Sequence, residues 1–158
     1  MALYISRFKD LPCFFKVINV IMTLIIIFTL SQVAKPPPGT SLIWLTVCFS
    51  SVFDITAITL LLTDRDTLLF TNPFFPYSAF ESVVSVFLFI FYVISAMLAM
   101  NSNEISDNIW FNVAAGFCLF NAIIYITNAY LYVKKWMYEH RRAQDQAEYY
   151  EYPNYGAE

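Results

Sequence analysis

Three ionisable side chains stand inside long apolar runs of this chain: Lys16, Asp54 and Glu81. If those runs cross a bilayer, each charge is costly there, so it must pair, hold a proton or serve an ion path. Lys16 and Glu81 each lie about one turn in from the same side, and at about 1.5 Å rise per residue their depths agree within a few Å. The expectation is an ion pair or one shared hydrated pocket. The alternative is that Lys16 snorkels alone to the headgroups and Glu81 sits protonated or near water. Asp54 falls about 13 Å deep on the same count, near mid-bilayer. Asn19, Thr23, Ser85, Asn121 and Tyr125 are placed at similar depth. That set reads either as an interhelical hydrogen-bond cluster that fixes a bundle, or as part of a proton or ion relay. A relay should continue across the membrane, and few acidic or histidine partners follow Asp54 on the far side.

Other chemistry finds little to stand on. Asp54 and Glu81 are the two carboxylates a hydrolase would need, but an early-helix acid and a mid-helix acid more often serve packing. The single histidine, His140, lies in the C-terminal tail. There is no phosphate-binding glycine loop, nucleophile elbow or metal-ligand spacing. No catalytic, cofactor or metal site is therefore expected, and none of the candidate roles is enzymatic. Cys13, Cys48 and Cys118 form neither a C-x-x-C motif nor an even disulfide set. Cys13 precedes the first apolar run, where S-acylation is a candidate modification beside the reading as a small buried thiol.

The elements that must position these residues follow from composition. Of 158 residues, 59% are apolar and 13% charged, against roughly 45–50% and about 25% in an average soluble domain. So small a chain cannot hide that much apolar surface in water. Four apolar segments of bilayer length stand out, at about 13–33, 41–62, 79–100 and 108–133. Pro36-Pro37-Pro38-Gly39 closes the first. The connection 63–78 carries Pro73 and Pro76, and 101–107 reads as a short polar turn. Arg7 and Lys9 before the first run imitate a signal peptide, but the run is too long and no A-x-A site closes it. Links this short predict an all-α, antiparallel four-transmembrane-helix bundle without internal repeats. Residues 1–12 form a basic juxtamembrane segment, 13–136 the membrane domain and 137–158 a tail.

Eight of the nine basic residues share one side: Arg7, Lys9, Lys16, Arg65, Lys134, Lys135, Arg141 and Arg142. Lys35 is the ninth. The positive-inside rule puts both termini and the 63–78 loop in the cytoplasm. The tail continues as a helix over 134–148, then turns acidic, tyrosine-rich and disordered over 149–158. Tyr149, Tyr150, Tyr152 and Tyr155 are candidate phosphorylation and adaptor sites beside the reading as an unmodified solvated tail. A net charge of −3 leaves no basic field for nucleic acid.

Two helices carry seams of small and polar residues. On the third these are Glu81, Ser85, Leu88, Tyr92, Ser95, Ala96 and Ala99. On the fourth, Ala114, Asn121 and Asn128 recur beside Ala115, Ala122 and Ala129. Such stripes let membrane helices approach closely, with Phe, Ile, Leu and Val left for lipid.

The segments FFKVINVIMTLIIIF, FPYSAFESVVSVFLFIFYVISA and NVAAGFCLFNAIIYITNAYLYVKKW carry a resemblance. The last has an Ala-Ala-x-Phe opening (Ala114, Ala115, Phe117), Tyr125, Tyr130 and a basic-Trp close (Lys134, Lys135, Trp136). Over roughly residues 8–136 the chain resembles the MARVEL-domain family of MAL, plasmolipin and the chemokine-like-factor group. Asp54 matches no hallmark of that family. The resemblance implies work at membrane apposition: vesicle trafficking, lipid-domain organisation or cell junctions. The implied partners are membrane lipids, other integral membrane proteins or a second copy, at the plasma membrane or on secretory and endocytic vesicles. Two other readings stand beside it: an accessory subunit of a channel, receptor or transporter, and a proton- or ion-conducting bundle built on Asp54.

Overall fold

The computed structural model describes residues 11, 13–33, 37, 39–63 and 76–151, leaving out the side chains of 106 and 146–151. Arg7, Lys9, Lys35, Arg65, Pro73, Tyr152 and Tyr155 lie outside the described residues. Among those described there are four helices and no strand: α1 (Cys13–Ser31), α2 (Thr40–Leu62), α3 (Tyr77–Ser106) and α4 (Ile109–Glu151). All four are long and apolar enough to cross a membrane.

The α1 helix stops at Ser31, ahead of the prolines. Its last turn tightens, with Gln32 N–H bonded to Thr29 O at 3.3 Å and Val33 N–H to Leu30 O at 3.2 Å. Gly39 enters α2 with φ +98°, a left-handed value that other residues adopt only with strain. Along α2, the hydroxyls of Thr46, Ser51, Thr56 and Thr59 each donate to the carbonyl four residues back, at 2.7–2.9 Å. That local bond lets a hydroxyl sit in an apolar medium without an outside partner.

Pro76 precedes α3 and its carbonyl accepts from Ala79 N–H at 3.0 Å. The helix then runs through 101–106, which the sequence assigned to a turn. Those six residues contain no Gly or Pro, so nothing in them breaks the helix. The stop is Asp107, at φ +49°, whose N–H bonds Asn103 O at 2.8 Å. Only residues 107 and 108 separate α3 from α4. Asn108 caps α4, its Oδ1 accepting from Trp110 N–H at 3.1 Å. The left-handed Asp107 gives a clean expectation. Asp107→Gly will hold or raise thermal stability by up to about 1 kcal/mol, whereas Asp107→Val will lower it by about 1–2 kcal/mol. Thermal unfolding of the two purified variants in one detergent reads the difference.

The α4 helix has 43 residues. At its rise it measures about 65 Å, roughly twice the hydrocarbon thickness. It continues over 134–148 beyond the expected span end at 133, as the tail reading had it, and also includes 149–151, which the sequence assigned to a disordered segment. From 134 to 151 there is no Gly or Pro and a high share of strong helix formers.

Each helix packs on two neighbours: α1 on α2 and α4, and α3 on α2 and α4, with the α3–α4 contact the most extensive. The seam residues Tyr92, Ala99, Ala115, Ala122 and Ala129 are all buried. Small side chains on α4 bring its backbone close to α3. At one end, Leu61, Tyr77 and Tyr132 pack together, with Cys13 against them. At the other end Ile26, Leu30, Ile43, Val47, Ala99 and Phe111 pack together, with small buried hydroxyls such as Thr29, Thr40 and Ser102 among them. Phe28, Leu45, Val52, Phe87, Met97 and Ile123 point outward from the four helices.

Candidate functional site

The three charges within the apolar helices meet at one point. Lys16 Nζ lies 3.0 Å from Asp54 Oδ1 and contacts the carboxylate of Glu81. The side chains are 0%, 0% and 1% exposed respectively. Each carboxylate also accepts from a phenol. Tyr125 OH donates to Asp54 Oδ2 at 2.5 Å, and Tyr77 OH to Glu81 Oε2 at 3.0 Å. The five residues come from all four helices: Lys16 from α1, Asp54 from α2, Tyr77 and Glu81 from α3, and Tyr125 from α4. One ammonium faces two carboxylates, so one carboxylate is left to be balanced by a proton or by another cation.

Lys16 contacts Glu81, the pairing expected of them, and does not snorkel alone; it is fully buried and turned into the bundle. One expectation is corrected. Asp54 does not belong to a separate mid-membrane cluster, because it shares Lys16 with Glu81. Depth counted by residue rise follows backbone positions. It misses the reach of a four-carbon lysine stem, which closes the gap between levels.

Tyr92 is a second node. Its hydroxyl bonds Ser50 Oγ at 2.6 Å and Thr23 Oγ1 at 3.1 Å. Thr23 Oγ1 accepts in turn from Asn121 Nδ2 at 3.4 Å. The Tyr92 and Tyr125 rings stack at 5.4 Å with an 18° tilt, so the two nodes touch through their aromatic faces. Two further bonds stand apart: Asn128 Nδ2 to Ser85 Oγ at 3.2 Å, and Ser95 Oγ to Thr46 Oγ1 at 3.1 Å. The expected cluster is thus divided. Asp54 joins Tyr125, Thr23 joins Asn121, and Ser85 goes to Asn128. Asn19 is fully buried, and neither of its amide atoms has a hydrogen-bond partner among the described residues.

Sequence reasoning missed Ser50, Thr46 and Tyr77 as members. The signal was present: Thr46, Ser50 and Asp54 recur every four residues on one face of α2, and Tyr77 lies four before Glu81. Tyr92→Phe will remove two hydroxyl contacts without changing ring packing. The expected loss is about 1–2 kcal/mol. Reversible unfolding in mixed micelles measures it; a loss under a few tenths would show that Ser50 and Thr23 bond elsewhere.

Past the apolar part of α4, Glu139 holds the helix extension to the start of α3. It accepts from Ser78 Oγ at 2.6 Å and lies 3.9 Å from Lys135 Nζ. Cys13 is half-buried against Leu61, Tyr77 and Tyr132, which leaves the thiol less open than its sequence position implied. The backbone of Tyr149 and Tyr150 is helical. Among the described residues, no three His, Cys, Asp or Glu side chains converge as a metal site requires. No protein-family model, curated protein or solved structure matches this chain, so the resemblance to MARVEL-domain proteins rests on the quoted segments alone.

Proposed function

We propose that the chain is a non-enzymatic organiser of membranes or membrane-protein assemblies, working through helix–helix and helix–lipid contact. In this reading the four helices span the bilayer as an antiparallel bundle with both termini cytoplasmic. Residues 13–136 form a MARVEL-like domain, and the setting is the plasma membrane or trafficking vesicles. One observation carries it: polar side chains turn inward and bond to each other, while the outer faces are large apolar residues. Val52 is 66% exposed, Met97 65%, Phe28 61% and Ile123 60%. Apolar surface on that scale needs lipid or a partner helix to cover it. The buried ionisable groups support a role without catalysis. Asp54 and Glu81 each already bond an ammonium and a phenol, and neither is open to a substrate.

The proton-relay reading has less support. Past Tyr92 the buried polar groups are hydroxyls such as Ser95 and Thr46, set among Ile26, Ile43, Val47 and Phe111, and no carboxylate or histidine is buried there among the described residues to hold a proton in transit. The accessory-subunit reading draws on the α4 extension, where exposed Met137 and Tyr138 stand among Lys134, Lys135 and Arg141. Affinity capture of the full chain in mild detergent, followed by mass spectrometry, separates the readings. Recovery of many vesicle or junction proteins supports the organiser. One large partner in fixed ratio supports the accessory subunit. Proton flux in protein-only liposomes, abolished by Asp54→Asn, would replace both.

A further inference from the structure

The α4 helix leaves the bundle with its charges in order. Lys134 and Lys135 follow closely on Tyr132, whose ring packs with Leu61 and Tyr77 at that end. Arg141 and Arg142 come two turns later, about 10 Å along the axis. Glu139 apart, the acids of the extension lie farther out: Asp145, Glu148 and Glu151, the first about 16 Å past Lys134. Contact with α3 fixes the rotation of the helix. Tyr132 meets Tyr77 edge to face, Trp136 is half-buried, and Glu139 accepts from Ser78 Oγ at 2.6 Å. At about 100° per residue, Lys134 and Arg141 fall on the side opposite those three. Lys135 and Arg142 form a second stripe about 100° round from the first, and Tyr138 lies between the stripes. All four cations are exposed, and Tyr138 is 67% exposed. Glu139 Oε1 lies 3.9 Å from Lys135 Nζ, an exposed contact that leaves most of that charge free for another partner. Four cations thus frame one phenol, just past the apolar part of α4.

We propose that this face binds the headgroup of a bisphosphorylated inositol phospholipid in the leaflet from which α4 emerges. Two phosphate monoesters carry about −3 to −4 together near neutrality, which four cations match. Lys134 and Lys135 stand at the level of the phosphodiester, where juxtamembrane cations meet anionic lipid. Arg141 and Arg142 stand higher, at the level of a ring that projects from the membrane, and their guanidinium forks suit its phosphates. The Tyr138 hydroxyl lies between them as a further donor. A serine headgroup brings one net negative charge and no projecting monoester, so it engages the two lysines alone. The inference rests on the reading of the chain as a membrane-spanning organiser and deepens it by naming the lipid.

The test is native mass spectrometry of the purified full chain, released from micelles that hold equal amounts of phosphatidylinositol bisphosphate and phosphatidylserine. The expected result is a one-to-one bisphosphate adduct several-fold more abundant than the serine adduct. Arg141→Gln with Arg142→Gln, both at exposed positions, will bring the two adducts level. Adding His140→Arg and Gln144→Arg to that variant restores the net charge on another side of the helix, and the preference should stay lost. Equal adducts in the unaltered chain overturn the proposal, as does a preference that survives the loss of both arginines. Recovery with the relocated arginines also overturns it, because a diffuse field would then suffice. Full displacement by an equal concentration of soluble inositol trisphosphate would assign the face to a free phosphate, and retention of an acidic protein without the lipid would assign it to a partner chain. Loss of the preference while vesicle or junction proteins are still captured defeats only this inference; absence of the chain from cell membranes defeats the reading beneath it.

Discussion

Lys16→Met will destabilise the protein by about 3–5 kcal/mol, the range for breaking a buried ion pair from one side. The substitution keeps most of the side-chain volume and removes the ammonium. Asp54 and Glu81 are then left with phenol donors and no cation, at 0% and 1% exposure. Two carboxylates that share a buried site cannot both stay ionised, so at least one must take a proton. The expectation separates charge from packing through a rescue. Lys16→Met combined with Asp54→Asn and Glu81→Gln should recover most of the loss, because no unpaired charge remains. Equilibrium unfolding in mixed micelles reads both steps. A triple variant as unstable as Lys16→Met alone would assign the loss to the shape of the lysine stem and not to its charge.

The second large effect lies on the α3–α4 seam. Ala122 is 2% exposed on α4, while its neighbour Ile123 is 60% exposed on the outer face. Ala122→Leu inserts three carbons where the helices already meet, and overpacking of this kind costs about 1–3 kcal/mol. Ile123→Leu, one position away, should shift stability by no more than about 0.5 kcal/mol. The pair is measured in the same unfolding assay. Equal effects at the two positions would mean that α4 is rotated from the orientation described above.

The two predictions draw on different kinds of information. The seam was legible in the sequence because it is periodic. Glu81, Ser85, Leu88, Tyr92, Ser95 and Ala99 recur every three or four residues, and a straight helix must bring them to one face. Helix positions were legible for a similar reason, since apolar runs of bilayer length leave few other states. Helix ends were less so. At 101–106 the polar composition suggested a turn, yet a single left-handed residue at Asp107 sets the stop. At 149–151 acidic and tyrosine-rich composition suggested disorder, yet the helix carries through to Glu151.

The membership of the polar network needed three dimensions. The linear sequence supplies an inventory of costly groups: Lys16, Asp54, Glu81, Asn19, Asn121 and Tyr125. Nothing in their spacing says which helix stands beside which, or how far one helix slides along another. A shift of one turn, about 5.4 Å, would give Lys16 a different acid. Packing settles that register, because small residues on α4 draw α3 close and the Leu61–Tyr77–Tyr132 cluster pins one end. Side-chain reach then turns nearness into bonds, which is why Asp54 moves from its own cluster to a shared lysine and Asn19 ends with no hydrogen bond. Periodicity and length are local properties and can be read along the chain. Pairing among four helices is a property of their mutual registers, and it exists only once the chain has folded.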